Sequence, residues 1–139
     1  AAKPITGFGP NSFYLHYRPY TVSRFETWVS NNPEHSTVHN YFILIALEQG
    51  VPGLLLFCVL YFGMLLHAQK LYHRFQSLFY RTVALTLSII LVMIGVVNFL
   101  SDMVETDKIG SLFWLCLGMI VLLETKVVEE KNALSNNSI

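Results

Sequence analysis

His39-Asn40-Tyr41-Phe42-Ile43-Leu44-Ile45-Ala46-Leu47-Glu48-Gln49-Gly50-Val51-Pro52-Gly53-Leu54-Leu55-Leu56-Phe57 is the stretch around which the reading of this chain is built. It opens on a titratable imidazole and an amide. Nine residues follow, apolar apart from Glu48 and Gln49, and then a Gly-Val-Pro-Gly break and a second apolar run. Leu44, Leu47 and the Gly50-Val51 corner recur at helical spacing, which favours helix over strand for so long a run. Pro52 has no N–H and Gly53 no Cβ, so the helix is expected to stop or kink there. His39 is then expected at the start of a helix near a membrane surface, about three turns from a hinge at ~1.5 Å per residue.

The rest of the composition points the same way. Of 139 residues, 53% are hydrophobic and only 13% are charged. The mean hydropathy is +0.48. A soluble domain is nearer a quarter charged, so an integral membrane protein is expected. The formal net charge of zero gives no reason to expect a nucleic-acid partner. Cys58 and Cys116 both lie inside apolar runs and read as packing residues.

Outward from the opening stretch, the chain divides by polarity. Residues 1–38 are the least hydrophobic part. They begin Ala1-Ala2-Lys3-Pro4, and so loop-like a start to a membrane protein suggests the C-terminal part of a longer chain. Gly7-Phe8-Gly9-Pro10 is the strongest breaker. The aromatic and basic run Phe13, Tyr14, His16, Tyr17, Arg18, Tyr20, Arg24, Phe25, Trp28 fits either an interfacial belt or a ligand-facing surface. Ser36 or Thr37 is the expected N-cap of the helix carrying His39.

Residues 39–67 hold the motif helix, the break and the first span. The loop 68–81 carries Lys70, Arg74 and Arg81 with no acid, and a second span follows at 82–100. Residues 101–108 are an acidic connection, 109–124 a third span, and 125–139 a charged tail expected to be disordered towards Asn132–Ser138. Spans need ~20 residues to cross ~30 Å of hydrocarbon, and the 109–124 span meets that with its flanks or by tilting. The fold class is therefore all-α, a polytopic membrane protein with about three transmembrane helices preceded by an outer loop segment. Short cation-rich loops stay in the cytoplasm, which puts 68–81 and the tail inside and residues 1–38 with His39 outside.

Several side chains carry candidate chemistry. His39 offers an imidazole, a group suited to taking the proton of a hydroxyl, although a boundary histidine also serves as a plain polar helix end. Glu48 is either a hydrogen-bond partner for backbone freed by Pro52 or a second acid–base group. Arg18 and Arg24 have the fork that grips phosphate oxygens, and they equally suit pairing with Glu26, Glu34 or lipid headgroups. His16 and His35 read as solvated, and His67 and His73 as residues of the cytoplasmic boundary. No Cys/His spacing or H-E-x-x-H pattern indicates a metal, and no cofactor is expected.

His39-Asn40, nine residues, Gly50-x-x-Gly53 and a Leu-rich span together resemble the O-antigen ligase and O-antigen polymerase superfamily. These are bacterial inner-membrane proteins with H-N/S/Q-x9-G-x-x-G at the end of a large periplasmic loop. Gly7-Phe8-Gly9-Pro10-Asn11-Ser12-Phe13 is similar to the G-x-G-x-x-x-F stretch that often precedes that histidine. The resemblance covers the chain from about Ile5 through the third span. It implies a metal-independent, lipid-carrier-dependent glycosyltransferase that moves a glycan from undecaprenyl diphosphate to an acceptor hydroxyl. The acceptor is a lipid A core sugar in the ligases, another carrier-linked repeat in the polymerases, and a protein side chain in protein O-oligosaccharyltransferases.

By that resemblance His39 is the candidate catalytic group. Gly50 and Gly53, with Pro52, Gly7 and Gly9, form the structural motif, and Asn40, Glu48, Arg18 and Arg24 are candidate substrate-binding residues. Residues 1–38 and 101–108 then face the periplasm. Family members have about a dozen membrane helices against three here, and a fragment alone is expected to be inactive. Arg18 and Arg24 match no assignable family position. A reading of another class is a non-catalytic membrane subunit or transporter fragment whose outer loop binds a partner.

Overall fold

The computed structural model describes residues 4–20, 38–102, 104 and 107–136. Its elements are α1 (Phe13–Tyr17), a 3-10 turn (Arg18–Tyr20), α2 (Tyr41–Glu48), α3 (Gly50–Arg74), α4 (Leu78–Leu100) and α5 (Asp107–Asn136). Among the described residues there is no strand. The all-α, polytopic expectation holds: α3, α4 and α5 are each long and apolar enough to cross a membrane. At ~1.5 Å per residue the 23 residues of α4 alone span about 34 Å.

The chain forms two compact units, Ala1–Cys58 with Val97–Met103 and Val59–Val96 with Val104–Ile139. In the second, the buried residues repeat every three or four positions. On α3 they are Tyr61, Met64, Ala68 and Leu71, on α4 Ala84, Leu87, Leu91 and Ile94, and on α5 Phe113, Cys116, Ile120, Leu123 and Val127. Alternating steps of three and four keep an apolar seam facing its neighbours, the spacing of left-handed helix packing. Only 17–28% of each span's apolar window is buried. Leu66, Ile89, Met93, Trp114 and Leu122 lie on the exposed remainder, which lipid accepts and water would not. This is a multi-pass membrane protein.

Several polar groups along these spans find partners within or between the helices. Thr82, Thr86 and Ser88 donate to the carbonyls of Leu78, Thr82 and Ala84, one turn back, at 2.9–3.0 Å. The Tyr61 hydroxyl donates to the Leu91 carbonyl at 2.9 Å, joining α3 to α4. Glu124 on α5 accepts from Arg74 and meets Nε2 of His67 at 3.1 Å, joining α5 to α3.

Three boundaries differ from expectation. The loop placed at 68–81 shrinks to Phe75–Ser77, because Lys70, His73 and Arg74 lie on a helix that runs to Arg74. Long basic side chains do not end a helix: Arg81, one turn into α4, reaches back with its guanidinium over the Tyr72 ring at 4.8 Å. Of the stretch Asn132–Ser138 expected to be disordered, residues 132–136 are helical, and Asn137 and Ser138 lie outside the described residues. Val127 is fully buried there, Lys126 pairs with Glu129 at 2.7 Å, and Glu130 accepts the Ser77 N–H at 2.9 Å just before α4. Finally, the helix break falls at Gln49–Gly50, ahead of Pro52, and Pro52 and Gly53 lie in the first turn of α3. A proline is tolerated there because the first-turn N–H groups have no partner inside the helix.

Candidate functional site

The site is built from the break outward. α2 ends at Glu48, and Gly50 turns the chain into α3 with φ of 76°, a left-handed conformation that a side chain strains. The segment from Pro4 to Phe13 lies across this corner. The Phe8 N–H donates to the Leu47 carbonyl at 2.9 Å and the Gly9 N–H to the Glu48 carbonyl at 2.8 Å. Both carbonyls belong to the last turn of α2, which a helix leaves unpaired. In return, the Val51 N–H at the start of α3 donates to the Pro4 carbonyl at 2.8 Å. The approach is close enough that a Cβ on Gly7 would overlap the Glu48 carbonyl, and one on Gly50 the Ile5 carbonyl.

Glu48 completes the join. It is 7% exposed, and its carboxylate accepts three backbone N–H groups: Asn11 at 2.9 Å, Ser12 at 3.0 Å and Phe13 at 3.2 Å. Hydrogen bonds to a charged acceptor are worth about 1.5–3 kcal/mol each. Of the two expected roles, a backbone partner describes this carboxylate. Its partners are the residues leading into α1, however, and not backbone freed by Pro52. The length of α2, about 12 Å for its eight residues at ~1.5 Å each, separates Glu48 from His39.

At the other end of α2, Asn40 is the N-cap. Its Oδ1 accepts the Ile43 N–H at 3.1 Å, and its Nδ2 donates to the Phe99 carbonyl at 3.0 Å. Phe99 lies in the last turn of α4, so one side chain serves two helix ends. His39 therefore precedes the helix instead of starting it. It is the middle residue of a tight turn closed by the Asn40 N–H on the Val38 carbonyl at 2.6 Å, and it is exposed. Ser36 and Thr37, the expected caps, lie outside the described residues, as do Arg24, Trp28, Glu26, Glu34 and His35.

Arg18 is exposed on the 3-10 turn. Pro52 is also exposed, whereas Gly53 packs against the Gln49 side chain. The structure thus brings Gly7, Gly9, Glu48 and Gly50 together, and ties Asn40 to α4. It keeps His39 at the far end of α2 from that group. Among the described residues no cluster of His, Cys, Asp and Glu is arranged to hold a metal ion.

His16 is exposed, as expected of a solvated histidine, and it also has local partners. Its ring stacks on Phe8 with centroids 4.3 Å apart, and its Nδ1 lies 3.0 Å from the Ser12 carbonyl. The four-residue spacing from Ser12 and the i, i+4 pair Phe13–Tyr17 were the available signals. Compared with known proteins, the chain matches no family model, no curated protein and no solved structure.

Proposed function

We propose that this chain carries the motif-bearing part of a lipid-carrier-dependent glycosyltransferase of the O-antigen ligase type. It would transfer a glycan from undecaprenyl diphosphate to an acceptor hydroxyl, a lipid A core sugar in the leading version. One observation carries the reading. The two stretches that carry the resemblance, Gly7–Phe13 and His39–Gly53, are more than twenty-five residues apart in sequence, yet they interlock through Phe8, Gly9 and the Glu48 carboxylate.

In this mechanism His39 takes the proton of the acceptor hydroxyl. The freed oxygen bonds to the anomeric carbon of the donor, and the bond from that carbon to the diphosphate oxygen breaks. The electron pair leaves with undecaprenyl diphosphate. His39 suits the role because it is exposed and its turn is fixed by the cap of Asn40. Glu48 and the glycines are positioning residues that hold the loop on the corner. The side assignment belongs to the same reading: residues 1–38 and His39 face the periplasm of a bacterial inner membrane, and Phe75–Ser77 the cytoplasm.

His39→Ala in the intact protein tests it. General acid–base catalysis contributes ~10²–10⁴-fold, so transfer should fall by that factor with membrane insertion unchanged. A variant that still extends lipopolysaccharide normally on a gel removes His39 from the chemistry. Growth of carrier-linked repeats in place of capped lipid A core would move the assignment from ligase to polymerase.

A further inference from the structure

Within the second unit, a groove of about 580 Å³ runs between α3 and α5. It is lined by Gly63 and Met64 of α3 and Leu117 and Ile120 of α5, and Val59 and Val121 on its rims are exposed. The groove is open because Gly63 has no side chain, and a Cβ added there would meet nothing within 4 Å. From Val59 to His67 it is about 12 Å long at ~1.5 Å per residue, close to the ~15 Å that one leaflet contributes to ~30 Å of hydrocarbon. One end is polar: there Glu124 accepts from Arg74 and meets His67. Lys70 comes three residues after His67 and four before Arg74, so it shares their face of α3, and it is exposed. Lys70 makes no ion pair among the described residues.

We propose that this groove holds an acyl chain of a glycerophospholipid with a net negative headgroup, whose phosphate sits against Lys70. Two features select this occupant. The groove continues the lipid-facing surface of its two helices, on which Leu66 and Leu122 are exposed apolar neighbours. The charge at its polar end also does not cancel. Glu124 offsets Arg74, Lys126 pairs with Glu129, and Glu130 accepts the N–H groups of Gln76 and Ser77, which leaves the Lys70 ammonium over. A lysine stem lies along an apolar wall and carries its charge out to headgroup level, and basic groups between membrane helices attract anionic headgroups. A packed protein helix with apolar side chains would fill the groove but leave that ammonium without a counter-charge. A zwitterionic headgroup would bring a second cation to it. Lipid held here is independent of any glycosyl transfer.

Photolabelling of the intact protein in phosphatidylcholine nanodiscs tests the site. The probes are phosphatidylglycerol and phosphatidylcholine carrying the same diazirine on one acyl chain, each added at a low level, with labelled peptides mapped by mass spectrometry. Phosphatidylglycerol should label residues 59–67 and 117–125 about fivefold more than phosphatidylcholine does. Lys70→Gln, at an exposed position, should bring that ratio to about one with the helices intact. Gly63→Leu fills the groove and should cut labelling of both stretches by either lipid about tenfold. Equal labelling by the two lipids in the wild type, an unchanged ratio in Lys70→Gln, or wild-type labelling in Gly63→Leu would each overturn the assignment. No label on either stretch would mean that protein covers the groove, and would overturn it as well.

Discussion

Around Gly50 the contacts are backbone hydrogen bonds and one carboxylate, whereas along α3, α4 and α5 they are apolar side chains at every third or fourth residue. The difference decides what each region tolerates. The helix seam depends on volume and pattern, and volume-conserving swaps such as Leu87→Met should cost under ~1.5 kcal/mol. The corner depends on particular backbone conformations and partners, so small substitutions there act like deletions. A membrane protein can form its spans from hydropathy alone, but a loop laid across a helix end needs each polar group met.

The largest structural effect should come from Gly7→Ala and Gly50→Ala. Each puts a Cβ on a residue with φ of 63° or 76° and drives it into a carbonyl of the opposing segment. Strain of this kind costs on the order of 1–3 kcal/mol before the overlap is counted. Limited proteolysis should then cut readily within residues 4–20 while the helices stay protected. Wild-type resistance in either variant would mean that the loop is not held as described.

A smaller effect tests the seam's side of the contrast. Tyr61 reaches over Gly95 to the Leu91 carbonyl, and a Cβ on Gly95 would overlap the Tyr61 hydroxyl. Gly95→Ala should cost about 1–3 kcal/mol, and less in a Tyr61→Phe background, because the displaced hydroxyl is already gone. Additive losses in the double-mutant cycle would show that the two positions do not meet. The smallest shift is expected at Asn98, which continues the three-four register of Leu91 and Ile94, is fully buried, and leaves both amide atoms without a partner among the described residues. Asn98→Leu should stabilise the fold by ~1 kcal/mol in a denaturation titration, since it removes an unmet polar group. Destabilisation would mean that the amide has a hydrogen-bond partner.

The same contrast explains what could be read in advance. Three spans were legible because hydropathy and length suffice to identify them. Their ends were not, since Arg74, Arg81 and Glu130 look like loop residues by charge and become helix-end partners only once the helices pack. Pro52 marked the break but misplaced it by a few residues, because a proline is compatible with a helix's first turn. His39, Asn40 and the glycines stood out by spacing. The partners of Glu48 did not: they lie 35–37 residues away, and no local pattern pairs a carboxylate with so distant a backbone. The stacking of His16 on Phe8 was not legible for a similar reason, its partner being set by the loop's docking.

Glu48 fastens the glycine loop to the α2–α3 corner. Amide hydrogen exchange at Asn11, Ser12 and Phe13, in nanodiscs, compares the wild type with Glu48→Gln. The variant keeps one acceptor oxygen but loses the charge and the second acceptor. Protection at these three amides should drop by about 10–100-fold, with the amides of α4 unchanged. Equal protection in the two proteins would mean that the carboxylate does not hold the loop.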